Sequence, residues 1–180
     1  LQQRREHLEA VYEASKIVTA RRNRKEILDS ILEQVVVKVV PVNDKKTIAG
    51  SLQVFEPEDQ VLVMESVYPL TEYEAVVGKI HKRLSIIRQP NQRYGITARA
   101  AFERKPQNVG NVTQDSDYIP YRESTRSELA FPLVDGNELL GVLDIECEQE
   151  NAFDNTDIDA IKTLAELSIV AMRNAEAAQE

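Results

Sequence analysis

One cysteine, Cys147, stands in a chain of 180 residues. That excludes an internal disulfide and any metal site built from several thiolates. Histidine is nearly as scarce: His7 and His81 lie far apart, with no metal-ligand spacing between them. No apolar run approaches the length needed to cross a membrane. The N-terminal LQQRREHLEA is too polar for a signal peptide. There is no glycine-rich phosphate loop, no internal repeat and no low-complexity segment. Positive charge is also short. The formal net charge is −8, which argues against nucleic acid as the main partner, because phosphates demand a basic face.

What is present is ordinary for a soluble globular domain: 42% apolar and 29% charged residues. The length is that of one domain and can bury a sizeable core. Charge is uneven along the chain. Arg4, Arg5, Lys16, Arg21, Arg22, Arg24 and Lys25 face only Glu6, Glu9 and Glu13 near the start, while the last third is acidic. Both stretches read as solvated helix faces, as does the basic run Lys79, His81, Lys82, Arg83 and Arg88. The sequence begins without Met and inside a helical pattern, so it is expected to come from a longer chain. Its expected location is the cytoplasm, with no membrane contact by this domain.

Leu8, Val11, Tyr12, Ser15 and Val18 have helical spacing. A second helix starts near Asn23, three residues before Glu26 as in a capping box, and Ile27, Ile31 and Val35 continue its face. VVVKVV (35–40) is β-branched and ambiguous until Pro41 ends it. SLQVF (51–55) and VLVMESVY (61–68) alternate as strands around the turn EPEDQ. Residues 69–95 are hard to read beyond a strand near Leu84 to Ile87 and a loop to Gly95. A short helix follows over Thr97 to Arg104, then a strand in QNVGNV (107–112) and a loop over Thr113 to Thr125. After a hairpin, Asp154 is a good N-cap for the last helix, with Asp157 favouring its dipole.

The hairpin, SELAFPLVDGNELLGVLDIE (127–146), is the most patterned stretch. Its turn is Asp135-Gly136-Asn137, glycine supplying a positive φ. Pro132 has no N–H to give a ladder, so its strand is an edge or is bulged there. On the second strand, alternation puts Leu139, Leu143, Ile145 and Cys147 on a core face. Leu140, Val142, Asp144, Glu146 and Glu148 fall on the other. That second face is apolar near the turn and acidic further along, where a cavity could form. Asp144 is costly to bury unpaired and is expected to face solvent. The element order is two helices, about six strands with short helices among them, and a final helix. It predicts an α+β fold with a mainly antiparallel sheet and the terminal helices on one face.

GITARAAFERKPQNVGNV, DSDYIPY, STRSELAFPLVDGNELLGVLDIE and AFDNTDIDAIKTLAELSIVAMRNA, in that order, resemble a GAF domain. The likeness is continuous from about Gly95 to Ala175 and looser before. It implies one domain over residues 1–180: N-terminal helices over 1–40, sheet and pocket over 46–150, and a C-terminal signalling helix over 154–178. Pocket loops and short helices would lie across the sheet from the terminal helices.

The resemblance also bounds the chemistry. Some GAF domains attach a linear tetrapyrrole through a pocket-loop cysteine, often followed by His. Cys147 is on the last strand with no His beside it, so covalent bilin attachment is not expected. The branch that reduces free methionine sulfoxide uses several cysteines, and here the resolving thiol is missing. A non-catalytic domain is therefore the expectation. The spacing around Phe153 does not reproduce the cyclic-nucleotide signature. Candidate pocket residues precede and open the hairpin: Asp115, Asp117, Tyr118, Tyr121, Arg122, Ser127 and Glu128, with Tyr94 as a lid. Asp115 or Asp117 could equally cap a turn.

The function these features imply is a small-molecule-sensing regulatory domain of a multi-domain signalling protein. A non-covalent ligand of unknown identity would bias a homodimeric helix bundle. Leu8, Val11, Tyr12 and Val18 at one end and Leu164, Ser168, Ala171 and Ala175 at the other would carry the signal. The effector, a kinase, cyclase or transcription regulator, would lie in the same full-length chain. The alternatives are a structural dimerisation domain without ligand, or a GAF-type methionine sulfoxide reductase using Cys147.

Overall fold

The helical spacing at each end of the chain becomes a helix in the computed structural model, which describes residues 2–19, 24–39, 48–69 and 83–177. Helix α1 spans Gln2–Thr19 and α2 spans Arg24–Gln34, so the Asn23 cap lies outside the described residues. The ambiguous valine run continues α2 as a π-helical turn over Val35–Val39, with Val35 and Val36 buried. Strands β1 (Ile48–Glu56) and β2 (Val61–Tyr68) form the first hairpin. The rest are β3 (Arg83–Ser85), α3 (Ile96–Glu103), β4 (Gln107–Val109), β5 (Ser127–Asp135), β6 (Glu138–Cys147) and α4 (Asn155–Ala177). Gly95 opens α3 at φ 90°, a conformation that favours glycine.

The six strands form one antiparallel sheet in the order β3-β2-β1-β6-β5-β4. β1 and β6 are its central pair, and their close approach explains Gly141: a Cβ there would lie 2.2 Å from the Gln53 carbonyl oxygen. This is an α+β architecture, and it buries both faces of the sheet. On one face, Leu28, Leu32, Leu52, Leu129, Leu143, Ile145, Cys147, Ile161 and Leu164 join the sheet to α2 and α4. On the other, Leu62, Ile96, Ala100, Val112, Tyr118, Ala130 and Val142 join it to α3 and the loop after β4. Asp154 caps α4 as its sequence predicts. Its Oδ1 accepts from the N–H groups of Thr156 (2.8 Å) and Asp157 (3.0 Å), while Asp157 Oδ2 accepts from Asp154 N–H (3.0 Å).

The hairpin corrects the alternation near its turn. Leu133 pairs with Gly141 and Val134 with Leu139, so Leu140 is an extra residue in β6. A bulge of one residue exchanges faces. Leu140 packs on the helix side and Leu139 on the other, the reverse of strict alternation. Pro132 lies past the end of the β4–β5 ladder, which stops at Ala130, so its missing N–H falls on an open edge.

Candidate functional site

Past the bulge, β6 regains its register, and the sheet face opposite α2 and α4 turns acidic. Glu128 on β5 sits directly across from Glu146 on β6, and Ala130 across from Asp144. The three carboxyls therefore share one face. Each is buried, with Asp144 at 3% exposure and the two glutamates at 4%. This corrects the expectation that Asp144 faces solvent: α3 and the 110–126 loop cover this face too, so the middle of β6 meets no water on either side.

The neighbours of this cluster are mostly neutral. Ser51, opposite Asp144 on β1, directs its hydroxyl at Asp144 Oδ2 (3.5 Å), and Gln53 Nε2 donates to Ser51 Oγ (3.3 Å). Thr125 Oγ1 donates to Glu146 Oε2 at 2.7 Å. Asp144 Oδ1 accepts no hydrogen bond from any donor among the described residues. Burial, then the charges of Asp144 and Glu146, push the Glu128 carboxyl well above the usual carboxylate range; burial and Glu146 do the same to Asp144. Burial, with the nearby acids, also raises the Tyr118 and Tyr121 phenols.

A cavity of about 30 Å³ opens beside the cluster, lined by Ser51, Met64, Val67, Tyr121, Arg122, Asp144 and Glu146 among others. It takes a group the size of water or an ammonium. A larger ligand must displace Tyr121 or Arg122, which come from a loop rather than a strand. A second depression, of about 980 Å³, lies open between the two hairpin turns. Four of its six acids, Glu56, Asp59, Asp135 and Glu138, are already paired with Arg83 and Arg173, and it lies open to solvent.

The sequence candidates separate into four placements. Tyr118, Tyr121, Arg122 and Glu128 gather at the cluster. Asp115 and Asp117 do not: Arg99 on α3 holds Asp115 through two nitrogens (2.6 and 3.0 Å) and reaches Asp117 (3.2 Å), and Arg88 grips Asp117 (2.7 and 2.9 Å). Asp115 also accepts from the N–H of Asp117 (2.9 Å). Bonding to Arg99 lowers Asp115, and bonding to Arg88 lowers Asp117. Ser127 points to the helix side and donates to the Gln149 carbonyl (2.6 Å), because it pairs with Cys147 rather than with the acids. Tyr94 is not a lid. Its ring lies under the Arg88 guanidinium at 4.4 Å and its hydroxyl donates to the Ile86 carbonyl. Asp144, Glu146, Ser51 and Thr125, which the structure brings to the cluster, were not among the sequence candidates. The signal was two acids at alternate positions inside a strand that is otherwise core-like.

The proposed signalling residues also divide. Leu8 and Tyr12 are exposed (65% and 60%), and Val11 packs on the helix-side core. Leu164, Ser168 and Ala171 are buried within the domain, Ala171 against Ile27 and Ile31 of α2. The Val18 and Ala175 side chains lie outside the described residues, as do Lys79, His81 and Lys82. Cys147 is fully buried in the helix-side core, across the sheet from the carboxylates. No described helix is long and apolar enough to cross a membrane.

A two-faced antiparallel sheet with terminal helices on one side and a small cavity on the other defines an α+β domain with a cavity beside its sheet. The model of the GAF domain matches residues 22–173, and the chain belongs to that family. A free methionine-R-sulfoxide reductase of Saccharomyces cerevisiae is 31% identical over 74 residues, which span 41% of this chain and 41% of that protein. Among solved structures, the free methionine-R-sulfoxide reductase of Neisseria meningitidis in complex with its substrate shares 19% identity at a TM-score of 0.78, covering 96% of this chain and 91% of that one. The GAF domain of a phosphoenolpyruvate-protein phosphotransferase from Coxiella burnetii shares 20% at 0.77, covering 97% and 96%. The expectation of a non-catalytic domain is thereby corrected. Enzymes stand among the chain's similar proteins, and one cysteine was too narrow a ground for setting that class aside.

Proposed function

We propose that this GAF domain binds a small amine-bearing molecule at Glu128, Asp144 and Glu146, and that free methionine sulfoxide, for which its reductase relatives are named, is that ligand. The observation that carries this reading is the carboxylate cluster itself. Ionised carboxylates kept out of water cost several kcal/mol each unless paired, and one guanidinium, Arg122, lines the cavity beside them. A free amino acid brings an ammonium group that answers this charge and fits a space of about 30 Å³. Its remainder would displace the Tyr121–Arg122 segment of the loop.

Reduction of a sulfoxide to a thioether takes two electrons and two protons and releases water. Cys147 lies on the opposite face of β6, so the reducing thiols in this reading come from outside the chain. The test is thermal stabilisation by L-methionine sulfoxide, followed by methionine formation with dithiothreitol. Wild type and Cys147→Ser should both bind and turn over, while Asp144→Asn should lose binding at least tenfold. No stabilisation of the wild type would remove the reading, and loss of turnover in Cys147→Ser would overturn the assigned electron source.

A second reading has its own observation. Leu8 and Tyr12, one helical turn apart, leave an apolar stripe exposed on α1. In this reading it pairs two copies, and the homodimer passes ligand state to an effector joined to the same full-length chain. Leu8→Glu should then yield a monomer by light scattering, and an unchanged mass would end this reading.

A further inference from the structure

Resting on the amine-binding reading above, we propose that the empty pocket holds protons on the Glu128, Asp144 and Glu146 cluster, and that a cationic ligand enters by displacing at least one of them. Affinity for the ligand then rises with pH.

Every described element that faces the cluster bears on this. β5 and β6 contribute the three acids, with Glu128 opposite Glu146. β1 contributes Ser51 and Gln53, which are neutral. The covering loop contributes the Thr125 hydroxyl and the Tyr118 and Tyr121 phenols, which burial keeps protonated. Asp115 adds further negative potential toward Glu128, although Arg99 holds it. Among the described residues, the cation lining the cavity is Arg122, and it also bonds Glu148 Oε1 at 3.1 Å. Even with Arg122 counted in full, three ionised carboxylates would leave a buried excess of negative charge.

Protonation removes that excess, and the side chains are placed for it. Glu128 and Asp144 stand diagonally across the β5–β6 ladder on one face, Asp144 opposite Ala130 and Glu128 opposite Glu146, so a proton on either relieves their repulsion. That proton also gives Asp144 Oδ1, otherwise without a donor, a way to be satisfied. An ammonium placed at the same point supplies donors and charge together, so the proton leaves as the ligand arrives. Release of one proton per ligand tightens binding about tenfold per pH unit.

The direction of the stability effect follows. A carboxyl raised in the folded state binds more protons folded than unfolded, so the ligand-free domain loses stability as pH rises through the raised range. The first measurement therefore needs no ligand: unfolding midpoints from about pH 5.5 to about pH 7.5 for wild type, Asp144→Asn and Glu128→Gln. The wild type should fall relative to both variants as pH rises. Three parallel curves would overturn the proposal whatever the ligand is. The second measurement titrates L-methionine sulfoxide into wild type by calorimetry, in buffers of different ionisation heat. Proton release near one per ligand is expected. Binding without release overturns the proposal and leaves the ligand reading standing. Absence of binding at every pH overturns the ligand reading, while the first measurement still decides whether the empty pocket holds protons.

Discussion

Two groups of acids sit on the same side of the sheet and behave in opposite ways. Asp115 and Asp117 lie in a loop between two arginines, with short bidentate contacts, and are held below the usual carboxylate range. Glu128 and Asp144 lie on strands among hydroxyls and phenols and are pushed above it. The difference is the supply of donors rather than burial alone, since Asp117 is itself buried at 8% exposure. A network whose charges are matched within the chain stabilises the fold and leaves nothing over for a ligand. A cluster with more acids than cations among the described residues costs stability, and it persists where something else completes it. The matched pair also serves the unmatched cluster. It anchors, at Asp115 and Asp117, the loop that carries Tyr118, Tyr121 and Arg122 over the cavity.

The comparison breaks most severely at Arg99. Arg99→Ala removes the partner of Asp115 and one partner of Asp117. Truncating one member of a buried pair costs roughly 3–5 kcal/mol. Arg99 and Asp115 retain 17% and 15% side-chain exposure, so a loss of about 2–3 kcal/mol is expected by urea unfolding. The pH dependence has the opposite sign to that of the strand cluster. Lowered carboxyls contribute stability above their unfolded value near about pH 4 and lose it as pH falls. Wild type should therefore lose more stability than Arg99→Ala on acidification below about pH 5. Equal acid sensitivity would show that the aspartates are not stabilised by Arg99. Arg99→Lys should recover only part, because an ammonium cannot reproduce the two-nitrogen contact.

The contrast between the groups also explains how far the sequence could be read. The α+β order, the Asp154 cap and the hairpin turn were legible because periodicity and local backbone chemistry determine them. The Leu139–Leu140 exchange was not, because a bulge is decided by pairing with Leu133 and Val134 across the hairpin. That Glu128 and Tyr121 lie near one another at the end of the hairpin was legible from their place in it and in its preceding loop. Asp144 was misjudged by a rule that is sound in isolation. Acids at alternate strand positions normally face water, and only the second layer of cover over this face makes them buried. The arginines that claim Asp115 and Asp117 come from α3 and from the segment before it. Nothing local in the DSDYIPY stretch announces them.

A smaller effect sharpens the comparison from the unmatched side. Thr125→Val keeps the shape of the side chain and removes the hydroxyl that donates to Glu146 Oε2 at 2.7 Å. Loss of one such bond to a buried acceptor is expected to cost about 1–2 kcal/mol. A cost below about 0.5 kcal/mol would mean that Glu146 finds another donor when the hydroxyl is gone.

The smallest effect is expected at Arg88. It makes two short bonds to Asp117 and stacks on Tyr94, which suggests importance on geometry alone. Its side chain is 56% exposed, however, and exposed ion pairs contribute about 0–1 kcal/mol because solvent screens them. Asp117 also keeps Arg99 when Arg88 is removed. Arg88→Ala should therefore lower stability by at most about 1 kcal/mol, with the loss shrinking further in about 0.5 M salt. A loss as large as that of Arg99→Ala would place the anchor of the loop at its outer arginine. The stacking on Tyr94, rather than the charge pair, would then be the contact that holds it.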